Sequence, residues 1–276
     1  MAISAQQVVD RIQQQIGPAW KSQSVDIFHA GDKVGEVTGI VTTFAPSLEV
    51  LRRAVEAKKN MIVSREAPFW ARGAAPGAGR GRGGGGGRGP TQESMDKDPT
   101  YRFKRDFIAA NNLVLYRLFD NWNARRQDGQ LLGLARALGW EKNYKPSGGE
   151  PWARGNGFFS LPPATLKETA AGIKKTLKMK SIRIVGDPNT RVTKAALSHG
   201  MYQVADLEKH LGGKDEVKDE AADKAVSSGQ KKGLIVLGSE VSEEPGCGEM
   251  ANWLKTFIKD VPVEWFPTGE PAWMPY

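Results

Sequence analysis

A two-lobed α/β protein, with mixed or parallel sheets flanked by helices, is the fold class this sequence predicts. Three observations carry that expectation. The stretch Gly39 to Trp70 reads as strand, helix, strand. Two further apolar runs, Leu113 to Phe119 and Gly233 to Gly238, have the continuous hydrophobicity of strands buried on both faces. A Gly- and Pro-rich segment at 146–163 separates one group of elements from the next.

Taken in order, Ala5 to Ile16 places Val8, Val9, Ile12 and Ile16 on one helical face, and Gly17-Pro18 stops it. Val25 to Gly31 is a short loop or strand. Ile40 to Phe44 is β-branched or aromatic, as a strand requires. Pro46 breaks it, Ser47 is a candidate N-cap, and Glu49 falls in the first turn, where the helix dipole favours a carboxylate. Leu48, Leu51 and Val55 follow at helical spacing, and Met61-Ile62-Val63 is a second buried strand. That βαβ unit implies parallel pairing through a right-handed crossover, with ligands beyond the carboxyl ends of the strands.

Gly73 to Pro90 has no side chain able to build a core, so it is read as a flexible insert. Tyr101 to Ala110 is a helix with Phe103 and Phe107 on one face; Leu113 to Phe119 is a strand ending in Asp120-Asn121-Trp122-Asn123; Leu131 to Trp140 is a helix. Beyond the linker, Ala164 to Leu177 is a helix. Ser181 to Val185 is a strand, Gly186-Asp187-Pro188-Asn189 a turn, Val192 to Leu197 a strand, and Lys209 to Lys232 a charged surface segment. Gly233 to Gly238 reads as a buried parallel strand. Met250 to Ile258 is the clearest amphipathic helix, and Val261 to Phe266 a last strand. Residues 1–145 with 233–276 form the expected first lobe, and 164–232 the second.

With 39% hydrophobic and 25% charged residues, the chain has a globular composition, and no apolar run reaches the length of a membrane helix. The N-terminus has no leader pattern, and the single Cys247 excludes an internal disulfide, which together suggest the cytoplasm. The net charge of +8 invites a nucleic-acid reading, but four arginines (Arg72, Arg80, Arg82, Arg88) lie in one segment that has no acid. That segment is a tolerated insertion or an RNA contact, and it lacks the aromatics the second role uses.

Acids sit after three strands: Glu66, Asp120 and Glu243/Glu244. Carboxylates converging from neighbouring strand ends suit a hard cation or an acid/base pair, with Glu66 and Glu243 as catalytic candidates. The simpler reading is that strand-end loops are solvated and often acidic, and that Glu243-Glu244 is ordinary helix N-terminal charge.

The segments GIVTTFAPSLEVLRRAVEAKKNMIVSREAPFW, KRDFIAANNLVLYRLFDNWN, GLIVLGSEVSEEPG and VPVEWFPTGEPAW, with the Gly186-Asp187-Pro188 turn, resemble the Nif-three-like dinuclear-metal-centre family. That family is also known as GTP cyclohydrolase I type 2 homologues. The resemblance implies two α/β lobes with an active-site cleft and a metal pair between them, commonly in a homo-oligomeric, hexameric ring. The metal positions depart from the family pattern. Its His-His-Pro or His-Glu-Pro motif is Arg65-Glu66-Ala67-Pro68 here. Phe119 stands where the next histidine belongs, followed by Asp120 or Asn123 as the possible ligand. Ser239 replaces the histidine four residues before Glu243. His29, His199 and His210 match none of these positions.

Arginine cannot deprotonate to coordinate, and its charge repels a cation. Glu66, Asp120 or Asn123, and Glu243 remain as remnants that could hold one Mg²⁺ or Ca²⁺ weakly, or Arg65 could pair with Glu66 neighbours or Glu243 in place of the metals. Three functions follow. The first is a metal-free, non-catalytic or ligand-binding homologue. The second is a reduced-site hydrolase of a phosphate- or nucleotide-like substrate, with Arg65 as an anion clamp and Glu66 or Glu243 as general base. The third is an RNA-associated protein acting through the insert. Trp70, Trp122, Trp152 and Trp273 read as core or interface anchors, and GEPAWMPY as a docking tail.

Overall fold

In a computed structural model, the structure describes residues 2–69, 92–145, 157–197, 232–271 and 275. The insert, Trp70, Trp152, Trp273, His199, His210 and nearly all of the charged segment lie outside the described residues. Two compact units result: Met1–Arg125 with Cys247–Thr268, and Arg126–Gly246 with Gly269–Tyr276.

The first unit is built on the βαβ stretch. Strand β1 (Phe28–Ala30), β2 (Ile40–Thr43), helix α2 (Leu48–Glu56), β3 (Met61–Ser64) and β4 (Val114–Arg117) follow the first helix, α1 (Ala5–Ile16). Ser47 caps α2 by accepting from the Val50 N–H, and Glu49 lies in the first turn, as its sequence requires. With the last strand, β9 (Val263–Trp265), the sheet order is β1-β4-β3-β2-β9; β1 alone runs antiparallel to its neighbour.

Alternation along each central strand decides which layer each residue joins. Ile40, Met61, Val63, Val114 and Tyr116 pack with Val8 and Ile12 of α1 and with Met250 and Leu254. Val41, Ile62 and Leu115 pack instead with Val50, Leu51 and Ala54 of α2 and with Ile108. Every residue of β2, β3 and β4 is buried, which is why these strands read as unbroken apolar runs. Ile108 belongs to α4 (Pro99–Ala110), which follows a short helix, α3 (Gln92–Lys97). The sequence put Phe103 with Phe107 on one face; the structure buries Ile108 beside Phe107 and leaves Phe103 exposed, because α4 turns its 107/108 edge to the sheet.

In the second unit, α6 (Gly129–Ala137) begins at the Asp128 cap, and β5 (Gly157–Thr165) runs straight through the end of the expected linker. The Leu161-Pro162-Pro163 stretch that looked like linker is an irregularity in its antiparallel pairing with β7 (Arg191–Leu197), where the missing proline N–H groups cost least. A capping box of Thr165 and Glu168 starts α7 (Leu166–Thr176). β6 (Arg183–Val185) pairs with β8 (Leu234–Val236), and that pairing corrects the expected buried parallel strand: β8 is antiparallel and half-buried, in a sheet of two strands. Between β6 and β7, Gly186 adopts φ 123° to open the Asp187-Pro188-Asn189 turn, whose Asp187 carboxylate accepts the Asn189 N–H at 2.8 Å.

The long helix α8 (Ser239–Phe257) contains Pro245 and starts well before the amphipathic stretch at Met250. A Cβ on Gly133 would stand 2.5 Å from the Pro245 carbonyl oxygen, and one on Gly246 would overlap Gln130. These two glycines therefore let α6 approach the early turns of α8 backbone to backbone. Leu134 and Leu138 of α6 pack with Ile173, Ile235 and Val241, which draws α6 and β8 into this unit; the sequence had assigned both to the first lobe. Among the described residues, no helix is long and apolar enough to cross a membrane.

Candidate functional site

At the carboxyl end of β3 the chain keeps its pairing for two more residues: the Arg65 N–H donates to the Thr43 carbonyl at 3.1 Å, and the Glu66 N–H to the Phe44 carbonyl at 2.8 Å. The extended course sends the Arg65 side chain inward, where it is 1% exposed. Its Nη1 donates to Asn123 Oδ1 at 2.9 Å, and its guanidinium carbon lies 4.3 Å from the centre of the Phe119 ring. From the neighbouring strand end, Arg117 donates Nε–H to the Arg65 carbonyl at 3.1 Å and brings Nη2 within 3.6 Å of Glu66 Oε2. Its guanidinium carbon is 5.0 Å from the same ring. One phenyl group therefore serves two cations, whose attraction to its negative faces is strengthened by burial.

Asp120 and Asn123, read from sequence as a polar tip, belong to a short helix, α5 (Asp120–Ala124). Phe119 occupies its N-cap position and has no oxygen to offer the free N–H groups. Asp26 supplies the cap from a distant segment. Its Oδ1 accepts the N–H groups of Phe119 and Asp120 at 2.7 and 2.9 Å, and its Oδ2 that of Asn121 at 2.8 Å. Burial pushes the Asp26 carboxyl above the usual range, against these backbone donors, which pull it down. Asp120 Oδ2 accepts the Val25 N–H at 3.1 Å, and the Asn121 side chain receives from and donates to the Lys21 backbone. Next to these, Trp122 is fully buried against Trp253, and the Arg125 guanidinium lies within 4.4 Å of both ring centres.

His29, in the segment read as a short loop or strand, is the middle residue of the edge strand β1, at an irregularity in its pairing with β4. Its buried Nε2 has no hydrogen-bond partner among the described residues. Desolvation first, and the charge of Arg117 second, push the imidazole down to about 4. As pH falls below 6.5 toward 4, the unfolded chain takes up a proton at this position that the folded chain refuses, so stability is lost across that window. The urea midpoint of the wild type is expected to fall more steeply there than that of His29→Gln; equal slopes would count against a buried neutral imidazole.

Whether these residues suit the metal pair of the resembled family depends on their donor atoms. Arg65 and Phe119 have no lone pair to give. Asn123 Oδ1 accepts from Arg65, Asp120 Oδ2 accepts from the Val25 N–H, and Glu66 faces Arg117. Among the described residues, no three His, Cys, Asp or Glu side chains are grouped so as to hold an ion. Ser239 and Glu243 stand at the first and fifth positions of α8 in the other unit, with Glu243 buried. The residues present do not fit a dinuclear centre.

Arg117 and Asp26 were missed in the sequence. An arginine inside the apolar run Leu113 to Phe119 was a visible signal for the first; nothing local pointed to the second.

No family model matches the chain, and neither does any curated protein. Solved structures do. Staphylococcus aureus hypothetical protein SA1388 aligns over 99% of this chain and 100% of its own, with a TM-score of 0.72 at 17% identity. The protein ybgI, of unknown function, aligns over 98% and 100%, with a TM-score of 0.70 at 19% identity. A Bacillus cereus protein related to NIF3 aligns over 99% of each chain, with a TM-score of 0.68 at 12% identity. The fold is the NIF3-like fold that the sequence resemblance implied.

Proposed function

We propose that this chain is a NIF3-like protein whose metal pair has given way to an arginine-centred lock, and that it acts as a non-catalytic or ligand-binding homologue. One observation carries the reading: Arg65, at a position where the resembled family has histidine, spends its guanidinium on Asn123 and Phe119, the residues at the next ligand positions. A guanidinium is a permanent cation, so it meets the demand for positive charge between strand end and helix without an ion. With no metal-activated water, the site has no strong nucleophile at neutral pH. Its place at the strand ends, where parallel sheets receive ligands, is what supports a ligand-binding role. The reading carries with it self-association as a homo-oligomer and a cytoplasmic location.

The test is the metal content of protein purified without added metal or chelator, read by mass spectrometry. Less than about a tenth of an equivalent per chain is expected, in Arg65→His as in the wild type, because one restored imidazole does not make a site that needs three or four ligands. About two equivalents of zinc, iron or manganese would sink the proposal and return the hydrolase reading. One equivalent of magnesium or calcium would support a reduced hydrolytic site built on Glu66.

A further inference from the structure

The second unit carries a charge imbalance that the Arg65 site does not use. Over residues 164–197 the chain has eight lysines and arginines against two acids, so this stretch accounts for most of the net charge of +8. Both acids are engaged locally: Glu168 accepts the Thr165 N–H at 2.8 Å in the capping box, and Asp187 accepts the Asn189 N–H at 2.8 Å. Lys180 is held by Glu270, whose carbonyl accepts its Nζ–H at 2.9 Å. Lys167, Lys174, Lys175 and Lys178, with Arg191 and Lys194, have no ion-pair partner among the described residues. All six are exposed except Lys174, which is half-buried.

The fold gathers most of these side chains around one helix. Leu166, Ala170 and Ile173 face inward from α7, which leaves Lys167 and Lys174, two turns apart, on one flank and Lys175 beside them. At the start of α7 the Lys167 N–H donates to the Pro188 carbonyl at 3.0 Å, and Thr165 stands opposite Arg191 in the β5–β7 pairing. At its end Lys178 takes φ 53° and the chain doubles back. The Lys178 N–H then reaches the Lys175 carbonyl at 3.2 Å, and the Met179 N–H the Lys174 carbonyl at 2.9 Å. Met179 is thereby buried with Ile173, and three lysines are left around one helix end. Helix stability does not account for them: the dipole places about half a negative charge there, which three ammonium groups far exceed. Their mutual repulsion is relieved by a polyanion.

We propose that this flank of α7 is a docking surface for the sugar-phosphate backbone of a nucleic acid, bound without regard to base sequence. Most of the unpaired cations are lysines, compact charges that pair with phosphates and carry no pattern for reading base edges. The 11 residues of α7 make a surface about 16 Å long, which spans several successive phosphates of one strand. A membrane fits the surface less well. The exposed positions of α7 between the lysines are Ala171, Gly172 and Thr176, with no large apolar side chain to enter a bilayer.

The test is fluorescence anisotropy of the full chain with labelled single-stranded RNA of about 20 nucleotides, in two unrelated sequences, over a salt titration. Equal affinity for the two sequences is expected, with log K falling against log salt at a slope of roughly −3. The triple variant Lys174→Gln, Lys175→Gln, Lys178→Gln should bind about ten-fold more weakly and lose about 2 from that slope. Its melting temperature should match that of the wild type, because none of the three side chains is fully buried. A triple variant that binds as the wild type does overturns the proposal. If binding is lost instead on changing Arg72, Arg80, Arg82 and Arg88 to glutamine, it belongs to the Gly/Arg insert. Failure to bind RNA also overturns it, and capture on vesicles containing about 30% phosphatidylserine would then assign the surface to membranes.

Discussion

Replacing Asp26 by alanine is expected to destabilise the first unit by about 4 kcal/mol, since three buried or half-buried N–H groups lose a charged acceptor at once. No water-exposed alternative exists for Asn121, whose side chain is itself held by the Lys21 backbone and is fully buried. Asp26→Asn keeps one acceptor oxygen and turns an amide group toward the remaining donors, so it should recover about half of the loss. Denaturant midpoints give the size. Amide exchange gives the place: protection at Phe119, Asp120 and Asn121 should collapse in Asp26→Ala while β2 and β3 stay protected. Unchanged exchange at those three amides would show that Asp26 is not the cap.

Arg65→Ala is the second large effect. The substitution removes a fully buried side chain, leaves Asn123 Oδ1 without its donor and strips one cation from the Phe119 ring. A loss of about 3 kcal/mol is expected. Arg65→Lys preserves the charge but not the flat fork that lies over the ring while reaching Asn123, and it should restore less than half. A double-mutant cycle with Phe119→Leu isolates the stacking and should return a coupling of about 1 kcal/mol. Near-zero coupling, or an Arg65→Lys variant as stable as the wild type, would leave the lock as mere charge burial.

Both effects concern contacts far apart along the chain, and this is where the sequence stopped being readable. Ser47 as a cap, Glu49 in the first turn and the apolar runs of β2 and β3 depend on neighbours within one turn or one pleat, so they were legible. The start of α8 was not. Pro245, Gly246 and Gly248 look locally like a break, yet Gly246 is small because Gln130 of α6 lies against it. The pair Pro162-Pro163 hid β5 in the same way, since only its pairing with β7 shows that the chain there is extended and bulged. Around His29 the sequence allows either loop or strand, because a three-residue edge strand has too little pattern to announce itself.

By itself the sequence determined the α/β class, the parallel βαβ unit and the kinds of side chain at the strand ends, including an arginine and a phenylalanine. Tertiary structure decided what those side chains do. Asn123 is 58 residues from Arg65, and Asn121 is 95 from Asp26, so neither bond exists until β3, β4 and the segment before β1 are in register. Register is a property of the whole sheet, fixed by which faces it buries. Local periodicity can therefore name the groups at a strand end, but only the assembled sheet determines that the arginine meets the asparagine and the ring.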